Sequence, residues 1–211
     1  MTEGGLLLGV IVWGGFILQM LGLTEVTPAV SAFLTSLYVV FTALIGVFTG
    51  MQKLTRFAIV GVILATFGAG WISGPPQLNF GLGEWLTVAC ALLFGAHIIA
   101  TDKVTKIVDP IQVTATMLIT VAVLSIIVFL LSSRQHFNDF TILMKNFDFV
   151  FPLFLCAILG SLVALLVLNI FQKQVSPVRA AILYALEPVW AMTASLFLGL
   201  EGNITFWLPL G

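Results

Sequence analysis

TPAVSAFLTSLYVVFTALIGVFTG, residues 27–50, and SPVRAAILYALEPVWAMTASLFLG, residues 176–199, align without a gap at an offset of 149 residues. The alignment pairs Pro28 with Pro177, Ala32 with Ala181, Leu34 with Leu183, Leu37 with Leu186, Val40 with Val189, Phe48 with Phe197 and Gly50 with Gly199. Each copy opens on a hydroxyl residue followed by proline, a helix-start signal, and closes on glycine, a helix-stop signal. Each is also long enough to cross a hydrocarbon layer about 30 Å thick, which takes roughly 20 apolar residues. The second copy comes five spans after the first. Because every span reverses direction, the two copies are expected to cross the membrane in opposite senses, as an inverted-topology repeat.

The same length criterion, applied outward, picks out seven apolar runs at residues 5–22, 29–50, 55–73, 84–101, 110–132, 149–171 and 178–199. Their ends are punctuated by Thr27-Pro28, Gly74-Pro75-Pro76, Asp109-Pro110 and Ser176-Pro177, where proline suits the first turn of a helix and not its interior. An eighth stretch begins near residue 203 and reaches Gly211, too few residues to span. Composition agrees: 60% of the 211 residues are hydrophobic and only 8% are charged, against about 25% charged in an ordinary soluble domain. The expected fold is an all-α polytopic transmembrane helix bundle with an inverted repeat, seven full spans and a truncated eighth. The first run reads as a retained span, since Met1-Thr2-Glu3 carries no Lys or Arg and no small-residue cleavage site follows Leu23.

Charge placement sets an expected orientation. Lys53, Arg56, Lys103, Lys106, Lys173 and Arg179 fall on one side of the membrane, and only Arg134 and Lys145 on the other. Positively charged short loops stay in the cytoplasm, so Met1 is expected there and the loop from Glu25 to Pro28 outside. The net charge of −1, with Lys and Arg in ones and twos, excludes a nucleic-acid partner. No phosphate-binding Walker pattern occurs, which argues against ATP hydrolysis by this chain. Cys90 and Cys156 lie inside apolar runs and read as small buried residues. His97, near Asp102 and Lys103, reads as a membrane-interface residue, and no second His or Cys stands at metal spacing. Neither a metal nor another cofactor is called for. A membrane-embedded enzyme would need a nucleophile, base or metal group that these residues do not assemble.

Polar residues inside apolar runs carry the chemistry that remains. Ser31, Thr35, Tyr38 and Thr42 recur at helical spacing and share one face. The 149-residue offset places Tyr184 and Glu187 on the corresponding face of the second copy, with Glu187 the mate of Tyr38. Two readings of the first stripe stand: interhelical hydrogen bonds, worth about 0.6 kcal/mol each on average, or the lining of a solute cavity. Glu187 is the one ionisable residue in the middle of a run, where a charge is expensive. It reads either as a proton- or cation-coupling carboxylate, or as a hydrogen-bonded side chain beside Pro188, whose ring leaves a carbonyl unsatisfied. Trp13, Gln19, Asn169, Gln172 and Trp190 suit packing or interfacial roles. Gly61, Ala65 and Ala69 form a small-residue face, which is packing chemistry and a possible homodimer seam.

Three segments together resemble the drug/metabolite transporter superfamily, EamA type: Phe16-Ile17-Leu18-Gln19; Ala32-Phe33-Leu34-Thr35-Ser36-Leu37-Tyr38-Val39-Val40; and Ala185-Leu186-Glu187-Pro188-Val189-Trp190 leading to Leu198-Gly199-Leu200-Glu201. The resemblance covers nearly the whole chain. It implies about ten helices in two inverted halves, of which the seven runs match the third through the ninth. Residues 1–74 then correspond to the C-terminal part of a first EamA repeat, and residues 83–211 to a second repeat truncated at its last helix. Two departures are Thr42, where many relatives have proline, and the lack of a Glu after Gly50 comparable to Glu201 after Gly199. The implied function is a multipass secondary transporter, an exporter or exchanger of small organic metabolites such as amino acids or drug-like solutes, working by alternating access in a plasma membrane such as the bacterial inner membrane. The implied cavity lining is Gln19, Ser31, Thr35, Tyr38, Thr42, Asn169, Tyr184, Glu187 and Trp190. The alternative is a non-transporting fragment or membrane assembly partner, since two leading helices have no counterpart.

Overall fold

A computed structural model describes residues 2–51, 55–73, 80–131, 134–186 and 190. Among the described residues every regular element is helical. In chain order these are α1 (Thr2–Leu23), α2 (Pro28–Ser36), α3 (Tyr38–Phe48), α4 (Arg56–Ser73), α5 (Leu82–Thr105), α6 (Pro110–Leu131), α7 (Arg134–Leu143) and α8 (Phe147–Leu155). A π-helical stretch (Cys156–Val163), α9 (Ala164–Gln172) and α10 (Pro177–Tyr184) follow. Five segments among these residues are long and apolar enough to cross a membrane: Glu3–Leu23, Val30–Phe48, Leu82–Thr105, Pro110–Leu131 and Phe147–Gln172. The expected spans 55–73 and 178–199 correspond to α4, whose apolar part Ala58–Phe67 is shorter than that criterion, and to α10, which is described as far as Tyr184.

The proline punctuation sits where helix chemistry puts it. Thr27 caps α2 by accepting the Val30 N–H on its side chain, and Pro28 opens the helix. Asp109 Oδ1 accepts from the N–H groups of Ile111 and Gln112 at the start of α6. Gly50 follows α3 with φ of +67°, the left-handed conformation that glycine adopts without steric cost.

Four features depart from the linear reading. The run 29–50 is divided at Leu37, whose N–H reaches back three residues to Leu34 O, while Ser36 Oγ donates to Phe33 O at 2.6 Å. A serine bonding back to its own helix tightens and bends it locally. Helix α5 continues to Thr105, four residues beyond the expected end, because nothing between Ala100 and Thr105 breaks a helix. Helix α7 forms where a loop was expected; it is too short and polar to be read as a span, and Phe140 packs its ring on Phe129 of α6 at 5.1 Å. The last departure is the π-helical stretch after Pro152. Proline has no N–H to return to Asp148 O, and beyond it Ser161 Oγ donates to the carbonyl of Cys156, five residues back.

The chain divides into two compact units, Met1–Trp13 with Ala100–Val175, and Gly14–Ile99 with Ser176–Gly211. In the first unit α1 closes on α6 through glycine. A Cβ built on Gly5 would meet the Thr116 side chain and Val113 O, and one on Gly9 would lie 2.5 Å from Thr120 Cβ and 2.9 Å from Met117 O. Leu8, Val113 and Met117 are buried beside this seam. In the second unit Val39, Ile98 and Ala181 form a core against which Tyr38, Val62, Ala65, Ile182, Tyr184 and Ala185 pack. Gly95 of α5 lets α3 approach so closely that a Cβ there would lie 3.2 Å from Tyr38 O. The sequence-matched segments α3 and α10 are neighbours in this unit.

Candidate functional site: a polar face of α1 and α2

Within the second unit, the C-terminal part of α1 and the helix α2 bring three of the expected cavity residues into one neighbourhood. Gln19 donates through Nε2 to Thr35 Oγ1 at 3.4 Å across 16 residues of sequence, in a partly buried setting. Ser31, one turn before Thr35 on the same face, is 2% exposed, and its hydroxyl has no hydrogen-bond partner. A buried hydroxyl left unpaired costs about 1–3 kcal/mol, so the position invites a water or a ligand group. The pair of hydroxyls and the amide are neutral and offer both donors and acceptors. They suit the polar group of an uncharged or zwitterionic solute.

The rest of the expected stripe divides by role. Thr42 is fully buried and spends its hydroxyl on Tyr38 O, 2.7 Å away and four residues back, as Thr66, Thr87, Thr105, Thr114 and Thr120 do in their own helices. That is the self-satisfied arrangement of a threonine inside a helix. Tyr38 and Tyr184 are half-buried and pack on the same Val39–Ile98–Ala181 core, one from α3 and one from α10. Trp190 is 69% exposed, with its backbone N–H on Leu186 O. Glu187 lies outside the described residues.

Asn169 belongs to the first unit. It is fully buried in α9 and donates through Nδ2 to Thr114 Oγ1 of α6 at 2.8 Å. Two further readings are corrected. His97 is 4% exposed and so sits in the helix-packed interior, because α5 runs on past it for two turns. Cys156 is exposed on the outer face of the π-helical stretch, and Cys90 alone of the two is buried. The small residues Gly61 and Ala65 of α4 are turned inward: a Cβ on Gly61 would meet Ile182 of α10 at 2.8 Å, and Ala65 packs on the core.

Asp102 is the residue that sequence reasoning passed over. Taken as lying beyond a helix ending at 101, it stands instead in the last turn of α5, 3% exposed. The signal was present in Ala100-Thr101-Asp102-Lys103-Val104-Thr105, which has neither Gly nor Pro to stop the helix.

The class that these elements define is a helical membrane protein with several membrane-length segments among the described residues. The chain belongs to the EamA-like transporter family, whose sequence pattern matches residues 81–211. A protein of Archaeoglobus fulgidus described as an uncharacterized transporter is 28% identical over 189 residues, which is 90% of this chain and 58% of that relative. The chain thus spans little more than half the length of this curated relative. One solved crystal structure shares the fold with a TM-score of 0.74 at 14% identity, covering 97% of this chain and 78% of the other.

Proposed function

We propose that the chain is the greater part of a secondary transporter for small organic metabolites, zwitterions such as amino acids among them, which works by alternating access of two inverted halves. The observation that carries the reading is the Gln19–Thr35 hydrogen bond beside the unpaired, buried Ser31 hydroxyl. Polar groups within a membrane bundle turn toward a cavity or a partner helix, and a hydroxyl with no partner favours the cavity. The adjacency of α3 and α10, which carry the two matching sequence segments, supports the repeat. Export or exchange are the directions that the family likeness suggests, and Glu187 is the candidate coupling carboxylate.

The test is solute counterflow in proteoliposomes holding the complete protein, with a panel of amino acids and small organic solutes. Gln19→Leu and Thr35→Val are expected to reduce saturable flux of the accepted solutes about tenfold each, the loss that follows when a binding group is left unpaired at about 1.4 kcal/mol. Equal flux in the wild type and both variants would remove these residues from the site. Glu187→Gln, compared at several pH values and at matched abundance, separates the two roles of that residue. A coupling carboxylate predicts loss of proton-driven flux, since an amide does not titrate, whereas wild-type rates with unchanged pH dependence would eliminate it.

A further inference from the structure

Helix α7 is held close to the membrane boundary at both of its ends. It lies between two membrane-length segments, Pro110–Leu131 and Phe147–Gln172. Consecutive spans turn on one side of the bilayer, so Leu131 and Phe147 mark the same boundary. At 22 residues, Pro110–Leu131 is about 33 Å long and fills a hydrocarbon layer about 30 Å thick, which puts Leu131 at its edge. From Leu131 to Arg134 the chain advances three residues, a reach of about 11 Å at most. The other end is tied by the backbone. The N–H groups of Lys145 and Asn146 donate to Ile142 O and Leu143 O at the end of α7, and Asn146 in turn accepts from the N–H groups of Asp148, Phe149 and Val150 at the start of α8. A 10-residue helix is about 15 Å long, and with both ends tethered in this way it lies along the membrane surface.

The helix is also two-sided. Phe140, Leu143 and Met144, at i, i+3 and i+4, share one side, while Asn138 and Ile142 share the opposite one. A ring contact decides which side faces the bilayer. Phe140 meets Phe129 with 5.1 Å between ring centroids, and Phe129 stands two residues inside the end of α6, about 3 Å below the edge of the apolar layer. Phe140 is nonetheless 44% exposed and Leu143 42%, so the protein covers only part of this side. An amphipathic helix at a bilayer surface buries its apolar side about 5–10 Å into the boundary between headgroups and acyl chains. Lys145, exposed just past the helix end, is then at the level of the phospholipid phosphates, whose charge it complements.

We propose that α7 is a lipid-binding element that lies in the membrane interface, with Phe140, Leu143 and Met144 against phospholipid acyl chains and Asn138 and Ile142 toward water. The occupant of the Phe140 side is phospholipid and not a protein partner. Ile142 marks the reading most sharply, because its apolar character alone would put it in lipid and its place on the helix puts it in water. The proposal is independent of the solute reading, since it concerns the resting protein in lipid.

The experiment is spin-label accessibility on the full chain in phosphatidylcholine nanodiscs, with Cys90→Ala and Cys156→Ala removing the native thiols. Single labels are introduced through Asn138→Cys, Ile142→Cys, Leu143→Cys and Met144→Cys. Relaxation by oxygen, which partitions into lipid, is compared with relaxation by a water-soluble nickel chelate. Oxygen should dominate at Leu143 and Met144, and the chelate at Asn138 and Ile142. Dominance of the chelate at all four positions would mean that α7 stands in water, and dominance of oxygen at all four that it is immersed; either overturns the proposal. So does protection of Leu143 and Met144 from both reagents, which would mean that protein covers that side. Should Met144→Cys not be recovered folded, the exposed positions 138, 142 and 143 decide the matter.

Discussion

Gly9 and Gly160 show how differently one residue type is used in this chain. Gly9 is a point of contact: a Cβ would lie 2.5 Å from Thr120 Cβ and 2.9 Å from Met117 O, and the carbonyl cannot move without moving α6. Gly160, in the π-helical stretch, has nothing within 4 Å of the same built atom. Gly9→Ala should therefore destabilise the chain by about 1–3 kcal/mol, the cost of overpacking a close seam. Gly160→Ala should be neutral or stabilise by up to about 1 kcal/mol through helix propensity. Paired thermal melts in detergent check both, and a larger loss at Gly160 would contradict the packing. Nothing in the local sequence separates these glycines, because both sit in apolar runs and only the partner helix distinguishes them. Ser31 and Thr42 make the same point for polar residues. Both lie on the stripe that helical spacing defines, yet Thr42 bonds to its own backbone while Ser31 has no hydrogen-bond partner.

At the scale of elements, the segment Phe147–Gln172 is the least regular of the membrane-length helices. It is continuous and apolar, but its middle third is wound as a π helix after Pro152, and that stretch is exposed along nearly its whole length. The π geometry makes poorer hydrogen bonds and is used mainly as a local bulge. Amide exchange in lipid nanodiscs should accordingly be faster at Cys156–Val163 than at Val113–Thr120 of α6, where Val113, Thr114, Met117 and Thr120 are buried. Equal protection of the two segments would argue for ordinary α-helix throughout. The apolar run was legible as a helix, and Pro152 was visible in it. What was not legible is how the freed backbone groups would be re-paired, since five-residue and four-residue bonding leave the same apolar pattern in the sequence.

For the whole molecule, orientation is the property still argued from charge alone. The positive bias predicts that Lys53, Lys103 and Lys173 lie on the cytoplasmic side and that Glu25 and helix α7 lie on the opposite side. Cysteines placed at Glu25 and Asp139, both exposed, should react with a membrane-impermeant thiol reagent added to intact cells, and one at the exposed Lys173 should not. The opposite pattern would reverse the topology. Hydropathy over about 20 residues and proline and glycine at helix ends determined by themselves that this is a multipass helical membrane protein, and the resemblance of its sequence segments pointed to the EamA-like transporter family, whose pattern matches residues 81–211. Those signals are local or additive along the chain, so they survive without knowledge of neighbours. The tertiary structure alone decided which polar groups meet. It joined Gln19 to Thr35 and Asn169 to Thr114, turned Gly61 toward Ile182, and enclosed Asp102 with one oxygen unmet. Each of these depends on how helices distant in sequence are rotated and spaced, and an apolar run of residues leaves that rotation undetermined.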